Sequence, residues 1–84
     1  MSEDTRIKRL RIRSWRRGMR EMDMILGPFA DTDLAGLAPD LLDLYETFLT
    51  ENDQELYLWV SGQQTAPEQY ADLIAEIRKS SGFL

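Results

Sequence analysis

The sequence predicts an all-α fold, a small single-domain bundle of about five short helices, and three observations carry that reading. Apolar residues recur at three- and four-residue spacing almost throughout the chain. No segment alternates with period two for long enough to make a strand. Glycines, prolines and capping residues fall between the apolar stripes, where helices stop and start. With 84 residues there is room for one core, so residues 1–84 are read as one domain, with about 1–5 and 81–84 frayed.

The first helix is basic, with Ile7 and Leu10 on one face and Ile12 and Trp15 on a neighbouring one. Gly18 separates it from a second helix striped by Met19, Met22, Leu26 and Phe29. Pro28 lacks an N–H and crowds the carbonyl of Met24, so this helix either ends near Leu26 or continues with a kink. A third helix opens at Pro39, after a connection containing Gly36, and buries Leu41, Tyr45, Phe48 and Leu49. The fourth starts at Asn52, whose spacing to Glu55 resembles a capping box, presents Leu56, Trp59 and Val60, and stops at Gly62. Thr65 and Glu68 match a capping box for the fifth, which carries Tyr70, Leu73, Ile74 and Ile77 and ends at Ser80-Ser81-Gly82.

Charge is divided along the chain. Residues 1–20 carry eight basic residues against two acids, whereas residues 21–84 carry two basic residues against thirteen acids. Such asymmetry points to an anionic partner or to docking of the two halves on each other. On one continuous helix Arg6, Arg9, Arg13, Arg16, Arg17 and Arg20 would form a positive stripe. That stripe suits phosphates, and equally suits a solvated face or one paired with the acidic remainder. The acidic total, with a sequence pI near 4.6, argues against nucleic acid as the partner.

The chemistry available is narrow. The chain has no cysteine and no histidine, which removes thiol nucleophiles, thiolate metal sites and every His-based general base or metal ligand. Asp31 and Asp33 lack the glycine and terminal glutamate of a calcium loop, so no metal site is expected. No catalytic residue is expected either, and a chain this short favours a binding module over an enzyme. The N-terminus lacks a signal peptide's apolar core, and no apolar run approaches the ~20 residues of a membrane span. The expectation is a cytoplasmic protein, monomeric and without membrane insertion. Trp15 and Trp59, and Met19, Met22 and Met24, are read as packing residues.

The segment Arg16-Arg17-Gly18-Met19-Arg20-Glu21 is the candidate partner-binding site. Glycine permits close backbone approach, Arg17 offers a forked donor, and Glu21 sits in the first turn of the following helix as an acceptor. Arg16 and Arg20 flank the patch. The same residues also read as helix punctuation followed by a capping acid.

Arg17-Gly18-x-x-Glu21 stands within Arg13-Ser14-Trp15-Arg16 before it and Met22-Asp23-Met24-Ile25-Leu26-Gly27-Pro28-Phe29 after it. Further on come Asp53-x-x-Leu56-x-x-Trp59 and Pro67. Over about residues 6–78 this resembles the FAD assembly factor family of succinate dehydrogenase, the flavinators. The resemblance implies a five-helix protein that binds the flavoprotein subunit of succinate dehydrogenase, or in some bacteria of fumarate reductase. It further implies that such a protein promotes covalent attachment of FAD to a histidine of that subunit. FAD would be the client's cofactor, with none held permanently by this chain. The family's motif falls on Arg17, Gly18 and Glu21. An older label in the family, antitoxin of a toxin–antitoxin pair, supplies the alternative of a regulatory protein that binds a toxin or other protein.

Overall fold

The structure, a computed structural model, describes residues 3–81. Among these residues there are five α-helices and no strand: α1 Glu3–Trp15, α2 Arg20–Thr32, α3 Pro39–Phe48, α4 Asp53–Val60 and α5 Ala71–Ser81. Short 3-10 turns at Leu34–Gly36 and Glu68–Tyr70 precede α3 and α5. Thus α1 begins and α5 ends within the segments expected to fray, while Gly82 lies outside the described residues.

The second helix organises the rest. Met22, Ile25, Leu26, Phe29 and Ala30 recur at the spacing of one helical face, all are buried, and α2 accordingly packs against α1, α4 and α5. Met19 precedes the helix at its N-cap and is only partly buried. The helix runs through Pro28 to Thr32, which settles the alternatives in favour of continuation. Pro28 is exposed, so the donor it lacks is missing from the solvent side of α2.

Two polar links fasten α1 to α3. Ser14, fully buried, places its Oγ 2.7 Å from the Leu10 carbonyl and 2.6 Å from the Tyr45 hydroxyl. The single serine proton goes to the carbonyl, so the Tyr45 O–H donates to Ser14. Nearer the helix start, Arg6 bridges Asp43 at 2.7 Å and Glu46 at 2.9 Å. One arginine of the expected positive stripe is therefore spent on the acidic remainder. The stripe itself is interrupted, because α1 ends at Trp15 and leaves Arg16 and Arg17 outside any helix.

The centre is aromatic. Phe48 of α3 meets Tyr70 edge-on at 5.1 Å between centroids, Trp59 of α4 at 6.5 Å and Tyr45 at 6.4 Å, and Tyr45 meets Phe29 at 5.5 Å. Tyr70 also packs against Trp59 at 5.8 Å. Such pairs each add roughly 0.5–1.5 kcal/mol beyond area burial. Burial pushes both the Tyr45 and Tyr70 phenols up to about 12, against the Ser14 hydrogen bond for Tyr45 and reinforced by the Glu51 carboxylate for Tyr70. Both remain neutral at physiological pH, as a core requires.

The helix ends follow the punctuation in part. Asn52 accepts from the Gln54 N–H at 2.8 Å and caps α4, and Gly62 takes the left-handed conformation, φ 85°, just past its end. Leu42 rather than Leu41 is the fully buried leucine at the start of α3. The Thr65–Glu68 capping box does not form. Pro67 holds extended angles at φ −53° and ψ 140°, and the helix starts after it as a 3-10 turn with no side-chain cap.

Candidate partner-binding site

Residues 16–19 form the connection between α1 and α2, and Arg17 determines how it lies. Its guanidinium turns inward. Nε donates to Asp53 Oδ1 at 2.7 Å, and the two terminal nitrogens donate to the carbonyls of Leu49 at 2.7 Å and Glu51 at 3.1 Å. The pair is largely enclosed, with 12% of the Arg17 side chain and 18% of the Asp53 side chain exposed. Each charge also sits at the helix end that suits it. Arg17 covers the last carbonyls after α3, where the dipole is negative, and Asp53 is the first residue of α4, where it is positive.

Asp53 uses both oxygens. While Oδ1 holds Arg17, Oδ2 accepts from the backbone N–H of Gly18 at 2.8 Å. The backbone N–H of Arg17 donates in turn to Asp23 Oδ1 at 2.7 Å, in the first turn of α2. Five hydrogen bonds therefore fix two consecutive residues of the turn to α2, α4 and the segment between α3 and α4. The expectation that Arg17 offers a free forked donor to a partner is thus not what the fold does with it: three of its five N–H groups already have partners.

Gly18 lies exposed on the outer side of this clamp. Its φ is not in the left-handed region, and a Cβ added there would meet only Asp53 Oδ2, at 3.5 Å, an ordinary contact. Neither backbone conformation nor internal packing demands glycine here. Glu21 is exposed in the first turn of α2, and among the described residues its side chain has no hydrogen bond or ion pair. Arg16 and Arg20 are exposed on either side. The structure thus brings together a bare backbone surface with a carboxylate and two cations that have no side-chain partner among the described residues, supported from behind by Arg17 and Asp53.

Two side chains depart from the packing expectation. Met24 is 63% exposed, and Trp15 is 44% exposed, lying over Gly27 with its indole N–H 3.2 Å from Asp31 Oδ2. Trp59 and Met22 are core residues as expected. Sequence reasoning gave Asp53 no part in the site. Its signal was present in the Asp53-x-x-Leu56-x-x-Trp59 spacing, which reads as a helix start but does not say what the carboxylate holds.

Among the described residues no cluster of acidic side chains could hold a metal ion, and no helix is long and apolar enough to cross a membrane. The arrangement sets an acceptor and two donors around an exposed stretch of backbone.

Comparison with known proteins gives the family of the chain. The family model described as flavinator of succinate dehydrogenase matches residues 8–81. A relative from Penicillium rubens, named succinate dehydrogenase assembly factor 2, mitochondrial, is 38% identical over 84 residues, covering 93% of this chain and 26% of that protein. Another from Aspergillus terreus, with the same name, is 42% identical over 69 residues, 80% of this chain and 23% of that protein. The chain thus spans about a quarter of the length of these fungal relatives. The FAD assembly factor SdhE of Legionella pneumophila is 31% identical over 75 residues, 89% of this chain and 95% of that protein. No solved structure matches the chain with significance. On the match across residues 8–81, the chain belongs to the family of flavinators of succinate dehydrogenase.

Proposed function

We propose that this protein is an assembly factor that binds the flavoprotein subunit of succinate dehydrogenase, or of fumarate reductase, and promotes covalent attachment of FAD to it. The observation that carries the reading is Gly18, a glycine that the fold does not need, held flat on the surface by Asp53 beside the unpaired Glu21. Its exposed backbone leaves room for a partner's surface to approach closely. The patch packs against the flavoprotein, where Glu21 accepts hydrogen bonds and Arg16 and Arg20 meet acidic or carbonyl groups. Arg17 contributes indirectly, by fixing the turn.

The flavin belongs to the client. It supplies the reactive carbon and the flavoprotein supplies the histidine, so this chain acts without catalytic groups of its own. Its contribution is to hold the client so that the reacting groups stay close and aligned, an effect that can lower a barrier by several kcal/mol. It works as a monomer in the cytoplasm, holds no cofactor, and leaves the client after attachment.

The test is in-gel fluorescence of covalent flavin on the denatured flavoprotein subunit, after incubation with FAD and wild-type protein, the Gly18→Arg variant or neither. Strong signal with wild type alone is expected, with the variant retaining wild-type helicity by circular dichroism. Equal signal in all three lanes, with a folded client, overturns the proposal.

A further inference from the structure

One turn beyond the motif, the surface between α2, α4 and α5 sinks into an open concavity of about 470 Å3. Buried Ile25 and Phe29 lie at its floor, Met24, Pro28 and Tyr57 around it, and Glu21 at its edge. Counted from Glu21, Met24, Ile25 and Pro28 stand three, four and seven residues on, so the concavity continues the same face of α2 that carries the motif's carboxylate.

Three properties define what would fit. The floor is apolar, and Met24, flexible and 63% exposed, can adapt to an incoming side chain. Glu21 brings a negative charge with no partner among the described residues. Pro28 has no N–H to give to the carbonyl of Met24, so a backbone acceptor on the same stretch of helix lacks its usual donor. An apolar floor bordered by a carboxylate calls for an apolar side chain accompanied by a cation.

We propose that this concavity seats an apolar side chain of the client flavoprotein whose near neighbour in sequence is an arginine or lysine paired with Glu21. This rests on the function proposed above and adds the kind of segment recognised. The chain's own tail is the obvious competitor, since Ser80 also lines the concavity and Phe83 and Leu84 follow soon after. Gly82-Phe83-Leu84 contains no cation to meet Glu21, so charge favours the client.

The experiment measures binding of the flavoprotein subunit of succinate dehydrogenase to wild-type protein, Met24→Asp, Met24→Leu, Glu21→Gln and a chain lacking Phe83 and Leu84. Met24→Asp is expected to weaken binding about tenfold or more, the scale of losing a buried anchor contact, while Met24→Leu stays within about threefold. Glu21→Gln should weaken binding and flatten its salt dependence. Thermal melts verify that the exposed position 24 variants are folded. Wild-type affinity in Met24→Asp overturns the proposal. So does a loss of client binding on removal of Phe83 and Leu84 that matches the Met24→Asp loss, which makes the tail the occupant. A wild-type dimer that Met24→Asp dissociates without changing client binding makes a second copy the occupant and overturns it likewise. If the wild type itself does not bind the flavoprotein, the proposed function falls first and this inference with it.

Discussion

The turn at Gly18 and the crossing at Gly27 both set α1 against α2, and both centre on a glycine, but they are held in opposite ways. At the crossing the contact is steric. A Cβ on Gly27 would overlap the Trp15 ring, so the indole can rest on the helix only because that position is bare. At the turn the contact is polar, built from Arg17, Asp53 and Asp23, and a Cβ on Gly18 would find room. The first glycine is explained by its own fold. The second is not, and its bare backbone stands exposed beside Glu21.

Three substitutions sharpen or break this contrast. The largest effect is expected for Arg17→Ala, which leaves an enclosed carboxylate and two carbonyls without their donor. The loss should be about 3 kcal/mol, lowering Tm by more than about 10 °C in thermal unfolding of a domain this size. A Tm near wild type would mean that the clamp does not hold the turn. Next comes Gly27→Ala. Overlap with Trp15 costs about 1–3 kcal/mol and the gain in helix propensity returns about 1, so a net loss of about 1 kcal/mol is expected. The sign should reverse in a Trp15→Ala background, where alanine at 27 has space and stabilises; denaturant titrations of the four proteins give the coupling. The smallest effect belongs to Gly18→Ala, within about 0.5 kcal/mol of wild type in the same titrations. A cost above about 1 kcal/mol there would show that the fold needs this glycine after all, and the contrast would collapse.

What could be read from the sequence was whatever depends on near neighbours. Helical stripes, the Gly18 seam, the Asn52 cap and the Gly62 stop each involve residues within a turn or two, and the structure bears them out. The failures all involve something distant or a competition between local signals. Arg17 turns inward because the carbonyls of Leu49 and Glu51 and the Asp53 carboxylate, over thirty positions away, are brought beside it. The arginine stripe presumed a helix continuing past Trp15, but the backbone N–H of Arg17 is claimed by Asp23 and that of Gly18 by Asp53. At Thr65 the capping signal lost to Pro67, whose ring fixes φ and delays the helix. Within the candidate site, Gly18 and Glu21 stand exposed as their residue types suggested, whereas Asp53 and Met24 acquire significance only once α4 lies against α2.

The two tryptophans give the molecule a built-in optical gauge. Trp59 is 8% exposed inside the aromatic cluster, where its emission is insulated from solvent, while Trp15 stands 44% exposed near the end of α1 with its indole N–H on Asp31. A Trp59→Phe protein would therefore emit from a single indole, two residues before Arg17. The arrival of a client at the motif could then be followed in real time, without attaching a dye to either surface.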